Sequence, residues 1–305
     1  MGPAIRSAIK QLKRASISLP SLPPGGRSAS QRTSAPISRP SVPTPRVAYS
    51  IAITPSGTRL APPPRNPGLK RLGSSLPRVR NAVKEALASP GLTRTKVVAA
   101  IVRLIDHALL RPGYEEYARS EGGRGASTLL KSDVSVNGDQ IVLLFKGKGG
   151  KEIMRELRDP LLARVLHKLS AAKGKRLFSL SDGKGRKQPV TAREVNEFLA
   201  EAGGSSISAK DFRTFQASAT ALAVLTEHNG HESEVSRKKA IVAAADEASK
   251  ILVNTRSVAR SSYIHPSVIE AYETGKLKTS VLSGRIRKGL SRIESALMRF
   301  LEGSG

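Results

Sequence analysis

Apolar positions recur at helical spacing over most of the chain from residue 76 onward. A short helix fits Leu76–Leu87 and is stopped by Ser89-Pro90-Gly91. Val97, Val98, Ile101, Leu104, Ile105 and Leu109 fall on one face of a second helix over Thr93–Leu110, which Arg111-Pro112-Gly113 ends. The period then changes. Val134–Val136, the dipeptide Asn137-Gly138 and the apolar run Ile141–Phe145 predict a hairpin with a primed turn. Gly147-Lys148-Gly149-Gly150 predicts a second turn, leading to a third strand near Glu152–Leu157. Helical signals resume with Asp159 as an N-cap before Pro160, Thr191 with Glu194 as a capping box, and Ser208 with Asp211 as an acidic version of it. Long helices are predicted over Ala209–Glu227 and Val235–Leu252, and shorter ones over Pro266–Thr274 and Arg285–Leu301. The fold class is mainly α with a small antiparallel three-stranded sheet, and no internal repeat is present.

The first seventy residues obey different rules. They hold 13 of the 19 prolines and 11 Lys or Arg, and the first acid of the chain is Glu85. Proline at this density sustains neither helix nor ladder. The expected organisation is therefore a disordered basic tail over 1–72, a compact domain over 73–280 and a basic C-terminal helix over 281–305. Met1–Leu19 also has the acid-free, Ser-containing make-up of a transit peptide, and lacks the apolar core of a secretory signal.

Composition narrows the partner. Fifty-one Lys+Arg against 24 Asp+Glu give a net charge of +27 over 305 residues. Eleven of those charges lie in residues 1–70, which leaves +16 for 71–305, so the folded part is basic by itself. Such a charge calls for a polyanion, with nucleic acid favoured over a membrane surface. Five Tyr, six Phe and no Trp are too few for a protein that stacks on single-stranded bases. The absence of Cys removes disulfides, thiol nucleophiles and thiolate metal sites. No apolar run is long enough to span a membrane.

Candidate chemistry is sparse. There is no Walker-type phosphate loop, no Gly-x-Ser-x-Gly and no His/Glu pair at metal spacing, and His228 and His231 read as solvated loop residues around Asn229-Gly230. Arg111 sits at a helix end, Lys148 on a Gly-rich hairpin tip and Arg213 in the first turn of a helix. Asn254 and Tyr263 flank the segment carrying Arg256 and Arg260. Singly, each has an ordinary structural explanation: a helix-terminal Arg complements the macrodipole, and a Gly-rich turn is solvated.

The ordered set is more specific. Arg111-Pro-Gly-x-x-x-Tyr-Ala118, Phe145-Lys-Gly-Lys-Gly-Gly-Lys151, Ala209-Lys-Asp-Phe-Arg-Thr214, Asn254-Thr255 and Ser262-Tyr-Ile-His-Pro266 resemble the type IB DNA topoisomerases, especially the compact bacterial and poxvirus-like ones, over roughly 75–280. The resemblance implies the catalytic core shared by topoisomerase IB and the tyrosine recombinases. It implies Tyr263 as the nucleophile that forms a 3′-phosphotyrosyl link, and Arg111 and Arg213 as holders of the non-bridging oxygens. Lys148 becomes the general acid for the departing 5′ oxygen, and Asn254 a donor to a non-bridging oxygen. Tyr117, Lys146, Lys151, Lys210, Arg256 and Arg260 become DNA contacts, with Lys151 the alternative acid. His265 is expected to structure the His-Pro turn. The implied substrate is double-stranded DNA, relaxed by a monomer without cofactor in a bacterial cytoplasm, or in an organelle if the N-terminus is a transit peptide.

The residue types suit that chemistry on their own. Positioned Arg forks stabilise charge on equatorial phosphoryl oxygens, and a 5′ alkoxide leaves only with a proton. A covalent tyrosyl intermediate keeps the bond energy, so resealing requires no ATP.

Departures from the family pattern are Pro112 and Tyr114, where Ile or Val and Asn are usual, and Asp133, where a His-like residue is usual. A β-rich N-terminal clamp domain has no counterpart in the sequence given, and the tail is expected to substitute for it by nonspecific phosphate attraction. Two other readings stay open. A tyrosine recombinase normally has His-x-x-Arg where this chain has Lys210-x-x-Arg213. A non-catalytic DNA-binding remnant is disfavoured by five competent catalytic positions.

Overall fold

The computed structural model describes residues 67–303 apart from 121, 183, 205 and 229–232. The predicted tail up to residue 66, and His231 with Asn229-Gly230, lie outside the described residues. Ten helices and five strands are described, in the order α1 (Pro67–Ala88), α2 (Arg94–Ala108), α3 (Glu115–Ser120), β1 (Val134–Asn137), β2 (Gln140–Lys146), β3 (Glu152–Arg158), α4 (Pro160–Ala171), β4 (Ser179–Ser181), β5 (Lys187–Pro189), α5 (Ala192–Gly203), α6 (Ala209–Glu227), α7 (Glu234–Leu252), α8 (Arg256–Ser262), α9 (Pro266–Glu273) and α10 (Arg292–Gly303).

Helix α1 begins nine residues before the expected Leu76 and runs through Pro77. Proline inside a helix costs about 3 kcal/mol. Leu69, Leu72 and Leu76 recur at helical spacing and are almost fully buried. Each such burial contributes roughly 1.5–3 kcal/mol, so their sum outweighs the proline. The carbonyl that the Pro77 ring approaches belongs to Gly73, where a Cβ would lie 2.1 Å from Met298 Sδ of α10. Residues 67–72 are thus part of the folded domain, not of the tail.

The C-terminal helix is shorter than the sequence predicts. Residues 285–291 are not helical, and α10 starts only at Arg292. Gly289 takes φ +80°, and Ser291 and Glu294 make reciprocal cap bonds that start the helix. Helix α10 packs on α6 and α1. Its buried Glu294 pairs with Arg80 of α1 at 2.8 Å, and Arg80 also grips Asp106 of α2 at 2.8 Å.

Helix α2 is buried on nearly every side and packs on α1, α4, α5, α6 and β3. Helices α6 and α7 pack on each other, and α8 packs on α7. The three-stranded sheet has the order β1-β2-β3, antiparallel throughout. Asn137 pairs with Gln140, so the hairpin turns on Gly138-Asp139, one residue later than expected, with Gly138 at φ +60°. Strand β3 alternates outward and inward, placing Ile153, Arg155 and Leu157 on the inner face. The caps at Asp159, Thr191 and Ser208 form as the sequence predicts.

Candidate active site

Two helices end side by side and create the site. Helix α2 closes on Leu109 at φ 53° and α7 closes on Val253 at φ 49°. Among the described residues these are the two non-glycine positions in the left-handed region. The last carbonyls of a helix have no partner within it. Two arginines collect them. Arg213 donates through Nη1 to Leu109 O, and through Nη2 to Leu252 O at 3.0 Å. Arg155 donates through Nε to Ala108 O at 3.0 Å and through Nη2 to Ile251 O at 2.6 Å. Each guanidinium therefore binds the negative ends of two helix dipoles at once. Burial pushes the pKa of both arginines down.

The residues just beyond the two caps are Arg111 and Asn254. Arg111 donates through Nη1 to Tyr263 Oη at 2.9 Å and through Nη2 to Asn254 Oδ1 at 3.2 Å. Pro112 does not misdirect Arg111, because the next turn is zipped to a neighbouring loop. Ala126 N–H donates to Arg111 O and Ser127 N–H to Pro112 O, each at 2.8 Å. The approach is so close that a Cβ on Gly125 would lie 2.6 Å from Gly113 Cα.

Tyr263 caps α8 and is only 5% exposed. Its carbonyl accepts from Ser218 Oγ at 3.2 Å, and the same hydroxyl accepts from His265 N–H at 2.9 Å. His265 then caps α9 through its ring, as expected for a residue shaping the His-Pro turn. Burial alone raises the Tyr263 pKa, but the adjacent Arg213 and Arg111 charges prevail and the net shift is downward. Arg213 lies over the ring face, with Cζ 5.0 Å from the centroid, and contributes to the downward shift through its charge and through side-chain contact with the phenol. Arg111 is the residue that donates to the phenol oxygen.

A small cavity beside these groups is lined by Arg111, Asn254, Arg213, Lys148, Arg155 and Arg124, among others. Three buried donors on its wall, Arg124 Nε, Arg213 Nε and Asn254 Nδ2, have no acceptor among the described residues. An unsatisfied buried donor costs about 1–3 kcal/mol, so an anion placed there recovers that energy. Lys148 stands at the exposed tip of the β2–β3 turn, which Gly149 and Gly150 shape at φ +70° and +71°. Its Nζ lies 5.5 Å from the Tyr117 ring centroid, and Tyr117 packs edge-to-face on Tyr114.

The fold thus brings together Tyr263, Arg111, Arg213, Asn254 and Lys148. Lys151 lines the same cavity. Lys146, Lys210 and Arg260 are exposed, whereas Arg256 is held in an ion pair with Asp246. His228 is not a solvated loop residue: it is half-buried, and its ring bonds the Val224 carbonyl at the end of α6. The sequence reading missed Arg155, Arg124 and Ser218. A signal existed for two of them. Arg155 shares a strand face with Ile153 and Leu157, and Ser218 shares a helix face with Phe215, Leu222 and Leu225.

Asp133, the departure from the family pattern before the hairpin, is buried. It accepts from Leu130 N–H at 2.8 Å and from Arg124 Nη2 at 3.0 Å.

Among the described residues no helix is long and apolar enough to cross a membrane. The family described as eukaryotic DNA topoisomerase I, catalytic core, matches residues 68–286. The match opens with helix α1 and ends before α10. DNA topoisomerase 1B of Acanthamoeba polyphaga mimivirus is 28% identical over 206 residues, which are 65% of this chain and 61% of that protein. The chain therefore spans about three-fifths of the length of this relative. With a family match over well more than half its length, the chain belongs to the eukaryotic-type DNA topoisomerase I catalytic-core family.

Proposed function

We propose that this protein is a type IB DNA topoisomerase, which relaxes supercoiled duplex DNA by cutting and resealing one strand. The observation that carries the reading is the Tyr263 hydroxyl bonded to Arg111, beside a cavity whose wall presents three unfilled N–H donors. Tyr263 attacks a backbone phosphorus, and its depressed pKa makes the phenolate more accessible than that of an ordinary tyrosine. Arg111, Arg213 and Asn254 hold the non-bridging oxygens as charge builds on them. Lys148 swings from the Tyr117 ring and gives the 5′ oxygen its proton. The product is a 3′-phosphotyrosyl link and a free 5′ hydroxyl, whose rotation and return attack release torsion without ATP.

Exposed Lys146, Lys151, Lys210 and Arg260, with Tyr117, hold the duplex backbone around this centre. Arg256 joins them by exchanging Asp246 for phosphate. The enzyme acts as a monomer, because one nucleophile suffices for one strand. Trapping the intermediate with end-labelled duplex tests the reading. Label 5′ of the cut is expected to become protein-bound through Tyr263, and label 3′ of the cut is expected to be released. Adduct on the 3′ side of the cut, or adduct that survives Tyr263→Phe, contradicts it.

A further inference from the structure

Arg124 has no part in the mechanism above, yet three observations place it in the same cavity. Its side chain is about three-quarters buried and its guanidinium lines the wall shared by Arg111, Lys148 and Arg213. It is anchored from behind: Nη2 donates to Asp133 Oδ1 at 3.0 Å, and Asp133 is itself buried and fixed by Leu130 N–H. Arg124 Nε lies 2.7 Å from Asp133 Oδ2, but its N–H is not aimed at that oxygen and has no acceptor among the described residues.

The backbone around Arg124 ties both halves of the site together. Arg124 N–H donates to Lys146 O at 2.8 Å, at the foot of the turn that carries Lys148. One residue before it, a Cβ on Gly123 would lie 3.2 Å from Lys148 Cα. One residue after it, Gly125 abuts Gly113, and Ala126 N–H holds the Arg111 carbonyl. The loop is a strap between the Arg111 turn and the Lys148 turn, with a cation at its centre.

A buried carboxylate beside a phosphate site is unfavourable unless it serves a cation. Here the carboxylate spends both oxygens on fixing one guanidinium and one backbone N–H. The anionic residue therefore does not oppose a phosphate: it orients the fork that faces one. A planar fork braced along one edge keeps its other N–H groups in a fixed direction, which suits a tetrahedral oxyanion.

We propose that Arg124 is a further phosphate-binding residue of the reaction, contacting the scissile phosphate, with Asp133 as its positioning residue. The inference rests on the proposed topoisomerase reaction. On binding, one non-bridging oxygen accepts from the free edge of Arg124 while Asp133 keeps the other edge, so the transition state meets Arg124 in addition to Arg111 and Arg213. No bond to Arg124 is made or broken.

Single-turnover adduct formation on a nicked duplex separates this role from a structural one. Wild type, Arg124→Gln, Arg124→Lys and Asp133→Asn are compared on a phosphodiester and on a methylphosphonate at the scissile position, which lacks one non-bridging charge. Arg124→Gln is expected to slow cleavage of the phosphodiester about a hundredfold, and Arg124→Lys and Asp133→Asn about tenfold. On the methylphosphonate each loss is expected to shrink to within a few-fold, because the contact has no charge left to meet. Equal losses on both substrates make Arg124 a structural strap only and overturn the proposal, as does cleavage by Arg124→Gln at the wild-type rate. If Arg124→Gln melts early, Arg124→Lys carries the comparison, since it keeps the ion pair and loses only the fork. If wild type itself forms no adduct, the topoisomerase reading fails and this inference fails with it.

Discussion

The arginine side and the lysine side of the site are built in opposite ways. Arg213 is 3% exposed and bonded to carbonyls at two helix ends, and Arg111 is bound to both Tyr263 and Asn254. Lys148 is exposed on a turn shaped by two glycines and touches an aromatic ring. The difference follows from the work each side has in the proposed reaction. Groups that meet developing charge act best when they do not reorganise, so they are buried and cross-linked. A proton donor must reach a leaving oxygen and then withdraw, so it sits where the backbone is least constrained.

Three perturbations separate the two sides. Lys148→Ala has the largest expected effect, slowing cleavage by roughly 10²–10⁴-fold. Replacing the 5′ bridging oxygen by sulfur is expected to restore most of that rate, because a thiolate leaves without a proton. Rapid-quench cleavage assays on the two substrates check this, and an unrescued variant removes Lys148 from the acid role.

Arg111→Gln has the next largest expected effect, about 10²-fold, and it has a pH signature. Arg111 and Arg213 together depress the Tyr263 pKa against the opposing effect of burial. Removing one of the two raises that pKa, so less phenolate is present at any given pH. The alkaline rise of the cleavage rate is expected to move to higher pH in Arg111→Gln and to stay in place in Lys148→Ala. Rate–pH profiles for both variants report the contrast.

Val253→Asn probes the frame in isolation, with the smallest expected effect. A β-branched residue at φ 49° is unfavourable by roughly 1–2 kcal/mol, and Asn tolerates that conformation better. The substitution is expected to raise stability by about 1 kcal/mol in denaturant melts and to leave cleavage within a few-fold of wild type. A large loss of cleavage without loss of stability would show that the Val253 side chain has a role of its own.

Much of the fold was legible because its signals are local. The α2 stripe, the hairpin, the Asp159 and Thr191 caps and the Ala209–Glu227 helix follow from spacing and cap residues. The start of α1 was not, since the proline-rich composition reads as tail out to residue 72 and only tertiary burial of Leu69 and Leu72 shows the helix beginning before Leu76. The end of the chain failed for a related reason: the periodicity over 285–291 gives way to the Ser291 cap.

Of the candidate site, Tyr263, Arg111, Lys148, Arg213 and Asn254 stand out in the sequence as an ordered set of motifs. Their support does not. Two left-handed caps and a pair of arginines spanning two helix ends are long-range arrangements, and no spacing along the chain encodes them. Asp133 shows the same limit from the other direction. In the sequence it is an acid where a base is expected, and in three dimensions it is the brace of a cation.

The most direct test of the account is relaxation of supercoiled plasmid by the wild-type protein and by Tyr263→Phe, without ATP or added Mg²⁺. Wild type is expected to give a ladder of relaxed topoisomers, and Tyr263→Phe to leave the supercoils unchanged. Relaxation by both proteins, or by neither, contradicts the account.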